Sequence, residues 1–258
     1  MTAPPARKRS IRGALTCVAM FAFGGAVLWG LYRAPRSTTP ASPGVPWAAP
    51  SRPVRFVSVD AGAPRDDAPR DDAPSVEAIV AAVRPLEPDF VLLQRVRSED
   101  AVPLAEGLGM RRSFHPRVFR ALGTRPRGPV GCLVLSKHPL YDARPLQNSA
   151  PGGGCFGVWA VSVVEGSRFA IVSARLSDTT SADLARAWTE AASPPTIAGV
   201  GFEKGPARPT NWHDLVQDAV PQSIIADGSW AARGTGAAVG AKPAVMWVTA
   251  VGHPQRSH

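Results

Sequence analysis

The stretch from Pro88 to Val96 (PDFVLLQRV) restricts the fold more than any other part of the chain. Phe90, Val91, Leu92 and Leu93 form an unbroken apolar run. A strand with one wet face alternates polar and apolar residues; a strand covered on both faces does not. A buried helix segment can show the same run, but this one is short and Pro88 stands just upstream, so it is predicted to be a strand. Gln94 and Arg95 follow at its end, where a buried strand delivers polar side chains to a cleft. A chain containing such a strand has to cover a sheet on both sides.

The neighbouring segments supply the layers. Val54 to Asp60 alternates and is rich in β-branched residues, the pattern of a strand. Ser75 caps a helix that places Val76, Ile79, Val80 and Val83 on one face, and Pro85 ends it. Strand, helix, strand in succession indicates an α/β class rather than all-β. Further along, a helix is expected over 102–108, closed by the turn at Gly107-Leu108-Gly109. A buried strand is expected over 131–136, and a hairpin of 156–164 with 168–173 about Glu165-Gly166-Ser167. A helix over 182–192, an apolar strand over 196–200, one helix or turn over 212–220 and a last strand over 242–249 complete the pattern. Residues 111–127 read as an irregular arginine-rich loop, a solvated loop being favoured over a phosphate-binding one. The tandem repeat at 63–72 (APRDD twice) lacks the glycine and terminal glutamate of a calcium loop and reads as solvated loop. Gly152-Gly153-Gly154 is a turn; without a following Lys-Ser/Thr it is no phosphate loop.

The N-terminal part follows a different logic. Residues 1–13 are basic, and Ala14 to Tyr32 carries no charge, which is enough to cross a bilayer as a helix of roughly 20 residues. Trp29 and Tyr32 suit the interface, and Arg7, Lys8, Arg9 and Arg12 keep the N-terminus cytoplasmic. The rest would lie outside, on the periplasmic side of a bacterial inner membrane. A cleaved signal peptide competes with this reading, but the run ends Gly-Leu-Tyr-Arg-Ala-Pro, a poor cleavage site, which favours an uncleaved signal-anchor over 14–32. Residues 33–53, rich in Pro, Ala and Ser, read as an extended linker, and 54–258 as the folded domain.

Charge follows the same division. The chain has a formal net charge of +9 with 29 basic residues, of which seven lie in 1–53; that leaves 22 against all 20 acidic residues, a net of +2. The domain's charge does not support a nucleic-acid partner. Three cysteines, Cys17, Cys132 and Cys155, form no Cys-x-x-Cys and suggest no zinc site. Cys132 and Cys155 are compatible with a disulfide in an exported domain or with two separate buried thiols.

Several segments, in order, resemble the landmarks of the endonuclease/exonuclease/phosphatase superfamily, the deoxyribonuclease-I-like fold. Residues 55–62 are similar to its opening strand, and 76–83 with Pro88–Val96 to its "dpDvvxLQEv" unit. Gly131–Leu140 (GCLVLSKHPL) is similar to "GxaiLSrxPi", Ser173–Leu176 to "nTHL", Ile197–Phe202 to "lxGDFN", Gly228–Trp230 to "gTW" and Pro243–Val248 to "IDyIfv". The resemblance implies a four-layer sandwich: two packed mixed β-sheets flanked by helices, here preceded by one transmembrane helix. It also implies a metal-dependent phosphoester hydrolase site at the strand ends, with Mg²⁺ held by carboxylates and an Asp–His pair activating water.

Carried over residue by residue, that site is depleted. Asp60 stands where the family has its opening Asn, and Gln94 matches. Arg95 replaces the metal-binding Glu, Arg175 the His, Val200 and Phe202 the Asp and Asn of "GDFN", and Ala244 the Asp of "ID". The terminal "SDH" is not recognisable; His253 comes too early. A guanidinium beside a metal position adds a fixed positive charge where carboxylates are needed. No metal and no cofactor is therefore expected, with Mg²⁺ belonging only to the alternative of an active phosphodiesterase, nuclease or phosphatase with a non-standard site. Residues available to rebuild a site are Asp60, Gln94, His115, His138, Asp178, Asp183, His213 and Asp227. Absence of Gly-x-Ser-x-Gly argues against a serine hydrolase. The expectation is a membrane-anchored binding or scaffolding module of unassigned ligand and partner. In it, Arg95 and Arg175 either converge on an anionic group or pair with Asp60 or another acid.

Overall fold

The structure is a computed structural model that describes residues 45–62, 73–116, 130–150, 154–191, 193–202, 209, 212–216, 222–227, 229–238 and 244–252. Residues 14–32, the repeat 63–72, 117–127, Gly152, Gly153, Gly228, Lys242, Pro243 and His253 lie outside them. Among the described residues no helix is long and apolar enough to cross a membrane.

Twelve strands are described: β1 (Val54–Asp60), β2 (Phe90–Arg97), β3 (Arg111–Pro116), β4 (Val130–Ser136), β5 (Leu140–Gln147), β6 (Cys155–Val164), β7 (Ser167–Leu176), β8 (Thr196–Phe202), β9 (Trp212–Val216), β10 (Gln222–Asp227), β11 (Trp230–Ala238) and β12 (Ala244–Gly252). They form two six-stranded sheets, in the orders β11-β12-β1-β2-β4-β3 and β5-β6-β7-β8-β10-β9. Both are mixed: β1 and β2 run parallel, as do β7 and β8, while the other pairs are antiparallel. In each sheet the parallel pair is central, so its strands are buried from both sides, which β2 shows as a continuous apolar run. The Phe90–Leu93 run is fully buried.

Among the described residues, three α-helices flank the sheets. Helix α1 (Val76–Val83) is capped by the Ser75 hydroxyl, which accepts from the Ala78 N–H, and a 3₁₀ turn (Arg84–Leu86) follows it. Helix α2 (Ala101–Leu108) ends on Gly109 at φ 64°, a left-handed position that suits glycine. Ile79, Val83 and Leu104 from α1 and α2 pack with Val57, Val91, Leu93 and Leu135 on the outer face of the first sheet. Helix α3 (Asp178–Glu190) starts four residues earlier than its apolar pattern suggests, because Ser177 and Thr180 form a reciprocal capping box that adds a turn. Its Leu184 packs with Trp159, Val172 and Val200 on the outer face of the second sheet.

Between the sheets lies a third cluster, and its two ends differ in chemistry. At the end where β1, β2 and β7 begin, Phe56 stacks on Phe90 at 5.2 Å, Phe169 meets both edge-on at 6.3 and 5.7 Å, and Trp230 meets Phe56 and Phe169 edge-on at 5.6 and 5.1 Å. At the opposite end, where those strands finish, the space is narrower and polar, as described below.

Some segments depart from expectation. Arg111–Pro116 is strand β3, not irregular loop: its backbone pairs with β4 from Arg111↔Ser136 to Pro116↔Gly131, and tertiary pairing overrides an arginine-rich composition. Trp212–Val216 is strand β9 rather than helix or turn, paired to β10. Apart from Trp230 and Thr235, strand β11 is built of Ala, Gly and Arg, which have little strand preference, and it is held by its partner β12. Residues 47–50, read as linker, lie across the ends of both sheets. The Ala48 N–H donates to the Arg168 carbonyl of β7 at 2.9 Å, and the Gly252 N–H of β12 donates to the Pro50 carbonyl at 2.7 Å. Ala49 packs against the inter-sheet core between them. Extended, Pro-rich backbone can pair with strand ends without needing a register of its own.

Candidate functional site

Asp60, Gln94, Arg95 and Arg175, at the positions singled out by the family resemblance, gather at the polar end of the sandwich. Asp60 closes β1, in register with Gln94 of β2 on one side and Ala244 of β12 on the other. Arg175 of β7 is in register with Gly201 of β8, Ala174 with Val200 and Leu176 with Phe202. The parallel pairs β1–β2 and β7–β8 thus bring their C-terminal ends to one place, one from each sheet.

Arg95 sits on a β-bulge. Between Leu93 and Val96, β2 advances three residues while β4 advances two, from Leu133 to Gly131. The extra residue lets Arg95 take φ 56°, left-handed and uncommon for a side chain other than glycine. The bulge re-aims its guanidinium along the sheet toward the adjacent strand. There Nε donates to Asp60 Oδ1 at 2.6 Å and Nη2 to Oδ2 at 2.5 Å, a two-pronged pair matching the planar fork of arginine to the carboxylate. The Gly62 N–H adds a third donor to Oδ1 at 3.1 Å. Both side chains are largely withdrawn from water, so the pair is screened less than a surface one. Of the two sequence expectations for Arg95, pairing with Asp60 is the one the geometry contains.

Gln94 does something the sequence did not announce. Its side chain is 1% exposed and points into the space between the sheets. Nε2 lies within hydrogen-bond reach of Ser173 Oγ (3.2 Å) and the Gly199 carbonyl (3.0 Å) of the second sheet, and of the Leu92 carbonyl (3.2 Å) and Ser58 Oγ (3.4 Å) of the first. Ser173 Oγ in turn donates to the Leu93 carbonyl at 2.7 Å. The amide therefore bridges the two sheets. Gly199 makes this possible: a Cβ there would meet Leu92 Cβ at 2.6 Å and Ser58 Oγ at 2.8 Å. The signal in the sequence was a glutamine at the end of a run with no solvated face.

The remaining candidates are placed as follows. The Arg175 stem lies beside Gly201 and across from Gln94: a Cβ on Gly201 would be 3.9 Å from Arg175 Cγ and from Gln94 Cβ. Val200 is buried among the residues of the outer, α3-facing cluster. His138 is not at this end; its Nε2 is 3.1 Å from Asp89 Oδ1 near the start of β2. Asp89 also accepts from the Arg55 N–H. Asp178 opens α3 exposed to solvent, and Asp183 accepts from the Ser149 N–H and Arg186. His213 and Asp214 are neighbours on a strand and point to opposite faces; His213 is exposed and Asp214 accepts from Ser223 Oγ at 3.0 Å. Asp227 lies at the start of β8, at the far end, accepting from the Thr196 N–H (2.7 Å) and the Ser229 N–H (2.8 Å). Burial raises its carboxyl above the ordinary aspartate range, against the lowering effect of those two donors. For His115 the backbone pairing with Cys132 is described. Cys132 and Cys155 are thiols, whose sulfurs lie 3.6 Å from the Phe156 carbonyl and 3.0 Å from that of Gly157.

A divalent cation is a poor match for these residues. Mg²⁺ takes hard oxygen ligands, including one or two carboxylates. Asp60 is a carboxylate at this end of the strands, and both its oxygens are taken by Arg95. Among the described residues, no three of His, Cys, Asp and Glu come together as a metal group would require. The arrangement holds a neutralised ion pair backed by a buried amide.

No protein-family profile matches the sequence, and no curated protein does. Solved structures do match. One is an endonuclease/exonuclease/phosphatase from Bacteroides vulgatus (TM-score 0.63, 12% identity, 78% of this chain and 100% of that one). Another is the human Nocturnin catalytic domain with bound sulfate anion (0.62, 15%, 79% and 95%). A third is an endonuclease/exonuclease/phosphatase from Beutenbergia cavernae (0.54, 15%, 78% and 72%). With two packed mixed sheets, and with solved structures matching more than three quarters of its length at very low identity, the chain has the fold of the endonuclease/exonuclease/phosphatase proteins.

Proposed function

We propose that this chain is a membrane-anchored domain of the endonuclease/exonuclease/phosphatase fold that has given up metal-dependent hydrolysis and acts as a binding or scaffolding module. One observation carries the reading: the Arg95 guanidinium grips both oxygens of Asp60. A fixed cation then stands where the resemblance calls for a metal-binding carboxylate, and the neighbouring carboxylate is neutralised by it. Arg175, Val200, Phe202 and Ala244 at the other family positions offer neither a hard ligand nor a general base near neutral pH. The uncharged segment 14–32 behind a basic tail supports the anchor, with the domain outside the cytoplasm. An anion bound by Arg95 and Arg175 would have to compete with Asp60 for the first of them.

The competing reading is an active metal-dependent phosphoesterase with a non-standard site, favoured by the likeness to structures that include a named catalytic domain. One experiment separates the two. The detergent-solubilised full chain is assayed on bis(p-nitrophenyl) phosphate with Mg²⁺, Mn²⁺ or Ca²⁺, beside calorimetric titration of each metal. No turnover and no binding heat are expected. Metal-dependent turnover that disappears in Asp60→Ala would establish the competing reading. Membrane attachment is read separately, from whether deletion of 14–32 moves the chain out of the membrane fraction.

A further inference from the structure

A second feature lies away from that end, on the outer face of the second sheet. A cavity of about 420 Å³ is lined by Trp47, Asp142, Arg144, Trp159, Val161 and Arg168, with Ala143 and Ala191 at its rim. Its walls come from separate parts of the chain. Trp159 and Val161 belong to β6 and Arg168 to β7. Asp142 and Arg144 belong to edge strand β5, and Ala191 follows α3. Trp47 comes from the segment laid across the sheet ends.

The sequence builds this hollow by specific means. Between Tyr141 and Arg144, β5 advances three residues while β6 advances two, from Val161 to Trp159. Asp142 takes φ 45° there. This is a bulge on an edge strand, the kind of irregularity that redirects side chains beside binding sites. Trp47 is fixed by its bridge to Arg168, and the Arg168 guanidinium lies 4.0 Å from the centre of the Trp47 ring. The Arg144 guanidinium lies 5.3 Å from the Trp159 ring centre. Small Ala143 and Ala191 leave the space open.

The polar groups are not balanced. Arg168 Nη2 reaches Asp142 Oδ2 at 3.4 Å, a long and weak pairing. Arg168 Nε is buried with no hydrogen-bond partner. Arg144 is exposed and forms no ion pair among the described residues. Two guanidiniums thus face one carboxylate, with an unspent buried N–H donor and two indole walls. Such a lining recognises an acid group through its cations and a flat ring through its aromatic surfaces. An aliphatic acid leaves the part-exposed Trp47 ring unused; a neutral ring leaves Arg144 unmatched. The volume admits one small molecule and no folded partner.

We propose that this cavity binds a small aromatic acid, its carboxylate accepting from Arg144 and Arg168 and its ring lying against Trp47 and Val161. The site is independent of the proposed loss of hydrolytic activity and shares no residue with the Asp60–Arg95 end. The test uses the full chain in detergent, with 4-hydroxybenzoate as probe, phenol and acetate as controls, and equilibrium dialysis against detergent alone. Saturable binding of one probe per chain is expected, with phenol and acetate each at least tenfold weaker. Arg144→Ala is expected to weaken binding at least tenfold, its melting temperature being measured alongside to separate lost binding from the lost contact with Trp159. Trp47→Ala is expected to do the same and Trp47→Phe to retain most of the affinity. Absence of saturable binding up to the probe's solubility limit would overturn the proposal. So would equal affinity in Arg144→Ala, or phenol binding as tightly as the acid.

Discussion

Arg95 and Asp60 sit on adjacent parallel strands and meet through two parallel hydrogen bonds, although Arg95 must adopt a left-handed backbone to do so. The ion pair and the backbone strain are therefore coupled: the pair holds the bulge, and the bulge aims the pair. Arg95→Ala removes the pair but keeps a Cβ in the left-handed conformation, and is expected to cost about 1–3 kcal/mol. Arg95→Gly removes the pair but suits the conformation, and should be more stable than Arg95→Ala by about 1 kcal/mol. Urea denaturation of the three proteins measures both differences. Equal stability of the two variants would show that the backbone there is not strained.

Replacing the cation by an anion should reverse the metal preference. Arg95→Glu would put two carboxylates at the ends of β1 and β2, and calorimetry is expected to detect Mn²⁺ or Mg²⁺ binding in the variant and none in the natural chain. Binding of the metal by the natural chain with equal affinity would remove the main support for the proposed function.

Gly199 lies at a close approach between the sheets. Gly199→Ala would push its methyl group against Leu92 Cβ and Ser58 Oγ, both on the other sheet. Neither can retreat far, because Leu92 and Ser58 are fully buried. The expected loss is about 1–3 kcal/mol or more, as for other overpacked cores, read as a lower denaturation midpoint with unchanged slope.

The Gln94 amide joins both sheets, so removing it alone strands its partners. Gln94→Leu is expected to cost about 1–3 kcal/mol, because the Gly199 carbonyl loses a buried donor. Adding Ser58→Ala and Ser173→Ala to Gln94→Leu should recover part of that loss, since an apolar replacement of a whole polar cluster costs less than breaking it. A triple variant no more stable than the sum of the single losses would contradict this.

Asp227 sets a pH dependence at the far end. Its folded-state carboxyl titrates above the unfolded value, burial being the largest cause. The protonated form is therefore favoured by folding. Its contribution is fully present below the unfolded value and is lost as pH rises through the folded one. Asp227→Asn stays uncharged throughout, so its stability relative to the natural chain should improve between about pH 3 and neutral pH. Parallel denaturation series at the two pH values measure this. A difference that does not change with pH would mean that the charge is not penalised there.

Much of the fold was legible from local pattern. The Phe90–Leu93 run, the Ser75 cap with its apolar helix face and the hairpin about Gly166 each carry their own physics within a few residues. They recur in the structure as β2, α1 and the β6–β7 pair. Strands β3 and β11 were not legible, because an arginine-rich and an alanine-glycine segment become strands only by docking on β4 and β12. The same holds for 47–50, whose partners are more than a hundred residues away in the chain.

The candidate site divides in the same way. The sequence supplied, through its family resemblance, the expectation that Arg95, Arg175, Val200, Phe202 and Ala244 replace hard ligands and a base, because charge and donor type belong to the side chain wherever it lies. Only the tertiary structure decided that Arg95 turns toward Asp60, since that depends on a bulge set by the register of β2 against β4. Only it decided that Gln94 spans the sheets, since that depends on the absence of a side chain at Gly199, 105 residues further along the chain. Interactions between distant segments are fixed by packing distances, and no local pattern of residues encodes those.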